Sequence, residues 1–109
     1  MVKSKDEVEN LALLYVQEAS KVFFIKKAYL FGSYVKNKAT TYSDIDVALV
    51  SPDFEKIPET ILLKMLFRLA RHIDPLIEPI PITEDEISNP TLGTVAIDVV
   101  KEGKIIFTI

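Results

Sequence analysis

Residues 28–50 read Ala28-Tyr29-Leu30-Phe31-Gly32-Ser33-Tyr34-Val35-Lys36-Asn37-Lys38-Ala39-Thr40-Thr41-Tyr42-Ser43-Asp44-Ile45-Asp46-Val47-Ala48-Leu49-Val50. The stretch opens with a short apolar run closed by a glycine, the pattern of a buried strand ending in a turn. It closes with strict alternation. Ile45, Val47 and Leu49 share one face of a second strand, and Asp44, Asp46, Ala48 and Val50 share the other. Between the two runs, residues 34–43 are polar and basic and read as a loop. If the strands are neighbours, the Gly32-Ser33 turn comes to lie beside Asp44 and Asp46.

On the N-terminal side, Ser4-Lys5-Asp6-Glu7 has the form of a capping box. Val8, Leu11, Ala12, Tyr15, Ala19, Val22 and Phe23 then recur at helical spacing, so a helix is expected over residues 5–24. On the C-terminal side, Ser51-Pro52-Asp53 breaks the second strand. Ile61, Leu62, Met65, Leu66, Leu69, Ala70 and Ile73 form an apolar helical stripe, starting near Pro58 and stopped by Asp74-Pro75. Residues 76–82 alternate as a strand but carry Pro79 and Pro81. With Pro75, these leave one side of the strand without N–H donors, so the segment can pair on one side only and belongs at a sheet edge. Thr83-Glu84-Asp85-Glu86 is a second capping box. After Asn89-Pro90, the residues Leu92, Val95, Ala96, Val99 and Val100 resume helical spacing, Gly103 suits the end of that helix, and residues 104–109 form a last strand. The order α-β-β-α-β-α-β defines an α/β (α+β) fold: one small mixed sheet of about four strands, with helices mainly on one face.

The chain has 109 residues, enough for one domain over residues 1–109, and 49% of them are hydrophobic. With no cysteine, disulfides, thiolate metal sites and a cysteine nucleophile are excluded, and the single His72 cannot build a histidine metal cluster. A metal would have to be held by oxygen, which favours a hard cation. A net charge of −3 does not suggest a surface built to neutralise a phosphate backbone, so a nucleic-acid partner is not the expectation. No apolar run is long enough to span a bilayer and the N-terminus lacks a signal-peptide core, so a cytoplasmic location is the expectation.

Asp44 and Asp46, two apart on a strand, point the same way, and carboxylates that close repel unless a cation lies between them. A divalent metal at that pair could also bridge phosphate oxygens. Gly32 permits a tight turn and close backbone approach. The Ser33 hydroxyl, free N–H groups and the nearby Lys36 and Lys38 could hold phosphates.

Gly32-Ser33 followed at this separation by Ser43-Asp44-Ile45-Asp46 resembles the signature of the DNA polymerase beta-like nucleotidyltransferase superfamily, and within it the minimal nucleotidyltransferases paired with HEPN-type helical proteins in toxin–antitoxin modules. The signature's second glycine falls here on Asn37, which tolerates left-handed backbone better than most residues. The resemblance implies a nucleotidyltransferase fold and an enzyme of the EC 2.7.7 type. It also implies two magnesium ions, or manganese, on Asp44 and Asp46, and a third carboxylate in the edge strand that acts on the acceptor hydroxyl as base or serves as a metal ligand. Glu78, mid-strand, is the choice for that third acid; Asp74 shares its parity but falls in the turn. Gly32, Ser33, Lys36 and Ser43 would bind the nucleotide.

The implied reaction moves a nucleoside monophosphate from a nucleoside triphosphate, ATP by resemblance, to a hydroxyl such as a tyrosine on a HEPN toxin, making this chain an antitoxin. A second copy of the chain is an alternative partner. The contrasting reading is an inactive module that binds nucleotide or partner alone. Plainer readings exist for single residues. Lys36 and Lys38 fit solvated loop charges, Ser43 a local hydrogen-bond former, Glu78 an exposed edge charge, His72 a residue favoured by the helix dipole, and Phe23-Phe24-Ile25 core or interface.

Overall fold

The computed structural model describes residues 3–32, 44–91 and 94–109. Ser4 starts the first helix, α1 (Lys5–Ser20): its hydroxyl accepts from the Glu7 N–H while Glu7 returns a bond to the Ser4 N–H. Val8, Ala12, Tyr15, Val16 and Ala19 form its buried stripe. The helix stops four residues short of the expected end. Val22 and Phe23 fit the helical phase, but Phe23 turns into the core against Phe54, ring centroids 5.4 Å apart and edge-on. The Phe24 N–H bonds Asp53 at 2.9 Å, and Val22 is left half exposed. Tertiary packing outweighs the local period here.

The strands are β1 (Lys27–Phe31), β2 (Ile45–Val50), β3 (Ile77–Ile82) and β4 (Lys104–Thr108), in the order β3-β2-β1-β4. β1 runs antiparallel to both β2 and β4, and β2 runs parallel to β3, so the sheet is mixed as expected. β3 is an edge strand, for the reason its prolines dictate. The Leu76 and Ile82 carbonyls accept from Ile45 and Ser51, so even-numbered residues face β2 and the N–H-less Pro79 and Pro81 face the open edge.

Parity divides the core. Ala28, Leu30, Ile45, Val47, Leu49 and Ile77 pack under α1 and α2 (Glu59–Arg71), the two longest helices. On the opposite face, Tyr29, Ala48, Val50 and Ile82 pack with Ala96 and Val99 of the shorter α4 (Val95–Glu102). A five-residue helix, α3 (Glu84–Ser88), follows the Thr83 capping box. Leu92 lies outside the described residues. An unforeseen 3₁₀ turn, Pro52–Lys56, links β2 to α2, capped by the buried Ser51, whose hydroxyl accepts from the Asp53 N–H. Gly103 ends α4, but not through left-handed backbone. A Cβ there would stand 2.5 Å from the Val99 carbonyl and 3.3 Å from Tyr29, so close packing is what requires glycine. Among the described residues no helix is long and apolar enough to cross a membrane.

A polar bond crosses the main core: the fully buried Tyr15 hydroxyl donates to the Leu66 carbonyl at 3.0 Å, tying α1 to α2. Burial pushes the phenol far above its ordinary pKa, so it stays a donor at every physiological pH. Tyr15→Phe should cost about 1 kcal/mol and lower the Tm by roughly 4 °C or more. Thermal melts of the two proteins check this.

Candidate metal and nucleotide site

β1 ends at Phe31, and Gly32 follows with φ of +87°, a backbone region open to glycine at little cost. The register places Phe31 opposite Asp46 on β2, and Asp46 opposite Glu78 on β3. Three strands thus deliver the turn and two acids in one row across the sheet. Asp44, Asp46 and Glu78 project on the α4 face, the parity of Ala48, Val50 and Ile82, at the end of the sheet where β2 and β3 begin.

One carboxylate oxygen from each of Asp44, Asp46 and Glu78 lies within 4.8 Å of the others, the one such acidic group among the described residues. Asp44 and Glu78 are exposed and Asp46 is half-buried. At ~5 Å two like unit charges repel by about 1 kcal/mol in water, and by about 3 kcal/mol at an effective dielectric of ~20. Burial first, and the Asp44 charge second, raise the Asp46 carboxyl from 3.8 to about 6. Glu78 is also raised, by its hydrogen bond with Asp44, then by desolvation and the charges of Asp44 and Asp46. A convergent all-carboxylate set held against its own repulsion is a donor set suited to a hard divalent cation.

Asp74 does not join this group. Its carboxylate accepts from the Leu76 N–H at 2.8 Å and lies 3.9 Å from Lys3, so it shapes the turn into β3. Of the two acids considered for the third position, the fold brings Glu78 to the pair.

Gly32 does more than turn the chain. A Cβ at this position would overlap the Asp46 Oδ2 and stand 3.2 Å from its Cγ. The glycine leaves room for the Asp46 carboxylate itself, a role hidden until the register of β1 on β2 is known. Ser33, Lys36, Asn37, Lys38 and Ser43 lie outside the described residues. Phe23 and Ile25 are core, and His72 caps α2 at its C-terminal end.

The sign of the Asp46 shift predicts a pH effect on stability. Its folded pKa is raised, so the native state binds the proton more tightly than the unfolded chain, and stability is lost as pH rises from about 4 to about 6. Above that range the ionised carboxylate carries a penalty on the order of 1 kcal/mol once solvent screening is allowed for. Asp46→Asn should therefore melt higher than the wild-type protein at pH 7 without metal, and this advantage should shrink toward pH 4. Paired melts across that range measure it.

The profile of the nucleotidyltransferase domain family matches residues 11–106, so the chain belongs to the nucleotidyltransferase domain family. It is 34% identical over 61 residues to the protein adenylyltransferase MntA of Thermococcus cleftensis, a match spanning 56% of this chain and 57% of that protein, little more than half of each. Among solved structures, a candidate nucleotidyltransferase from Sulfolobus solfataricus superposes with a TM-score of 0.66 at 24% identity, covering 94% of this chain and 86% of that one. A toxin–antitoxin structure with AMP-PNP superposes at 0.63 and 22% identity, covering 93% and 73%. At these identities the two structures establish the fold.

Proposed function

We propose that this domain transfers a nucleoside monophosphate, AMP from ATP, to a tyrosine hydroxyl on a helical HEPN-type toxin, and so acts as a cytoplasmic antitoxin. The observation that carries the proposal is the convergence of Asp44, Asp46 and Glu78 beside Gly32 in a chain of this family. The choice of ATP, of protein as acceptor and of a toxin as partner is supported by the adenylyltransferase relative and the toxin–antitoxin neighbour.

Asp44, Asp46 and Glu78 would hold the divalent ions, two magnesium ions in the proposed active state. Such ions, when bound, offset polyphosphate charge and stabilise the attacking and leaving oxygens. Gly32 leaves the space in which Asp46 stands, and the row Phe31–Asp46–Glu78 fixes how far the acids lie from the turn. In the reaction the acceptor oxygen forms a bond to the α-phosphorus, the bond from that phosphorus to its bridging oxygen breaks, and pyrophosphate leaves. Glu78, exposed at the rim of the acidic set, is the carboxylate placed to take the hydroxyl proton.

Incubating the protein with magnesium, α-labelled ATP and a purified helical toxin of the HEPN type tests the proposal. Label on a toxin tyrosine is the expected result. A stable complex with no transferred label would refute the enzymatic reading in favour of neutralisation by contact.

A further inference from the structure

The carboxylates do not occupy the broad depression of about 540 Å³ on α2, lined by Leu63, Lys64, Phe67, Arg68, Arg71 and His72. It contains the chain's only two arginines and its only histidine. The helix carries one acid, Glu59, at its far end. Lys3, Lys21, Lys26, Lys56 and Lys104 each sit against a carboxylate elsewhere, but no ion pair among the described residues involves Lys64, Arg68 or Arg71. In a chain of net charge −3, the outer face of α2 is thus an unneutralised positive stripe with an apolar floor.

From these features we infer that this face docks an acidic amphipathic helix of a partner protein. Lys64, Arg68 and Arg71 follow the spacing i, i+4, i+7, which a facing helix matches with carboxylates at the same spacing. Arginine's planar fork suits bidentate pairing with carboxylates, and it is enriched at interface centres. Leu63 and Phe67 supply the apolar contact that a helix satisfies through its own apolar stripe. A nucleic-acid strand offers no such stripe, and beyond the short basic segment it would meet the acidic remainder of the surface. Because α2 joins the end of β2 to the start of the parallel β3, its Arg71 end lies at the end of the sheet that bears Asp44 and Glu78. A partner on α2 is therefore seated next to the rim of the acidic site, on the other face of the sheet. The inference does not depend on the transfer reaction.

Fluorescence anisotropy tests it with three labelled probes: an amphipathic helical peptide with glutamates at i, i+4 and i+7 beside a leucine stripe, the same peptide with lysines for the glutamates, and an oligothymidine. The glutamate peptide should bind, with affinity falling as salt is raised, and the lysine peptide should not. Lys64→Glu/Arg68→Glu/Arg71→Glu should weaken binding by about tenfold or more, and Lys5→Glu on α1 should leave it unchanged. Arg68→Ala/Arg71→Ala, which removes charge without reversing it, should give a smaller loss in the same direction. Circular dichroism and a retained magnesium–ATP shift in Tm show that the variants are folded with the acidic site intact. Failure of the glutamate peptide to bind, equal binding by the reversal variant, or tighter binding of the oligothymidine would overturn the inference.

Discussion

Replacing Asp46 by asparagine is expected to lower nucleotidyl transfer by about three orders of magnitude, because several kcal/mol of charge stabilisation at the reacting phosphate depends on the acidic set. Asp44→Asn should act in the same direction. The loss is expected without unfolding. Asp46 is half-buried among like charges, and its ionised form costs the apo domain stability, so the variant should melt no lower than the wild-type protein at pH 7. The two readouts therefore move oppositely: activity collapses while apo stability holds or rises. Magnesium should raise the wild-type Tm in the presence of ATP and leave that of Asp46→Asn nearly unchanged, since a ligand that binds only the folded state stabilises it. Undiminished transfer in both Asp44→Asn and Asp46→Asn would refute the assignment.

Gly32→Val should be nearly as damaging, for a different reason. The backbone at +87° is strained for any β-branched residue by roughly 1–3 kcal/mol. The new Cβ also falls on the Asp46 carboxylate. Either Asp46 swings out of the acidic row or the end of β1 shifts. In both cases a ligand misplaced by about 1 Å is expected to cost about a hundredfold in rate, on top of the lost stability. Gly32→Ala has the same collision with less backbone strain, so it should melt closer to wild type and still be impaired in transfer. Transfer assays and melts on both variants separate the two effects, and full activity in Gly32→Ala would show that Asp46 does not need its observed position.

Much of this was legible in the residues because the decisive features are local. The alternation from Ile45 to Val50 assigns faces without reference to the rest of the fold, and the register bears it out on both sides of the sheet. Pro79 and Pro81 mark an edge because a missing N–H is a property of the residue itself. What stayed hidden depends on contacts distant in sequence. The end of α1 at Ser20 follows from Phe23 reaching Phe54 and Phe24 bonding Asp53, partners about thirty residues away. Glu78 was preferred to Asp74 for its mid-strand position, but that it stands directly beside Asp46 follows only from the pairing of β2 with β3. Gly32 was legible as a turn, but its fit to Asp46 was not. The 3₁₀ turn had a local signal that could have been used: Ser51 followed by Pro52 is a cap with proline at the first position. The cations of α2 were visible as residues, but that no ion pair among the described residues involves them emerges only from the fold.

The most direct test of the central claim is a crystal structure with manganese and a non-hydrolysable ATP analogue, read by the anomalous signal of the metal. The predicted result is manganese bound to Asp44 and Asp46, with Glu78 at its edge and the phosphates of the analogue meeting both the metal and the turn at Gly32. Manganese and nucleotide located elsewhere, with those acids unliganded, would contradict it.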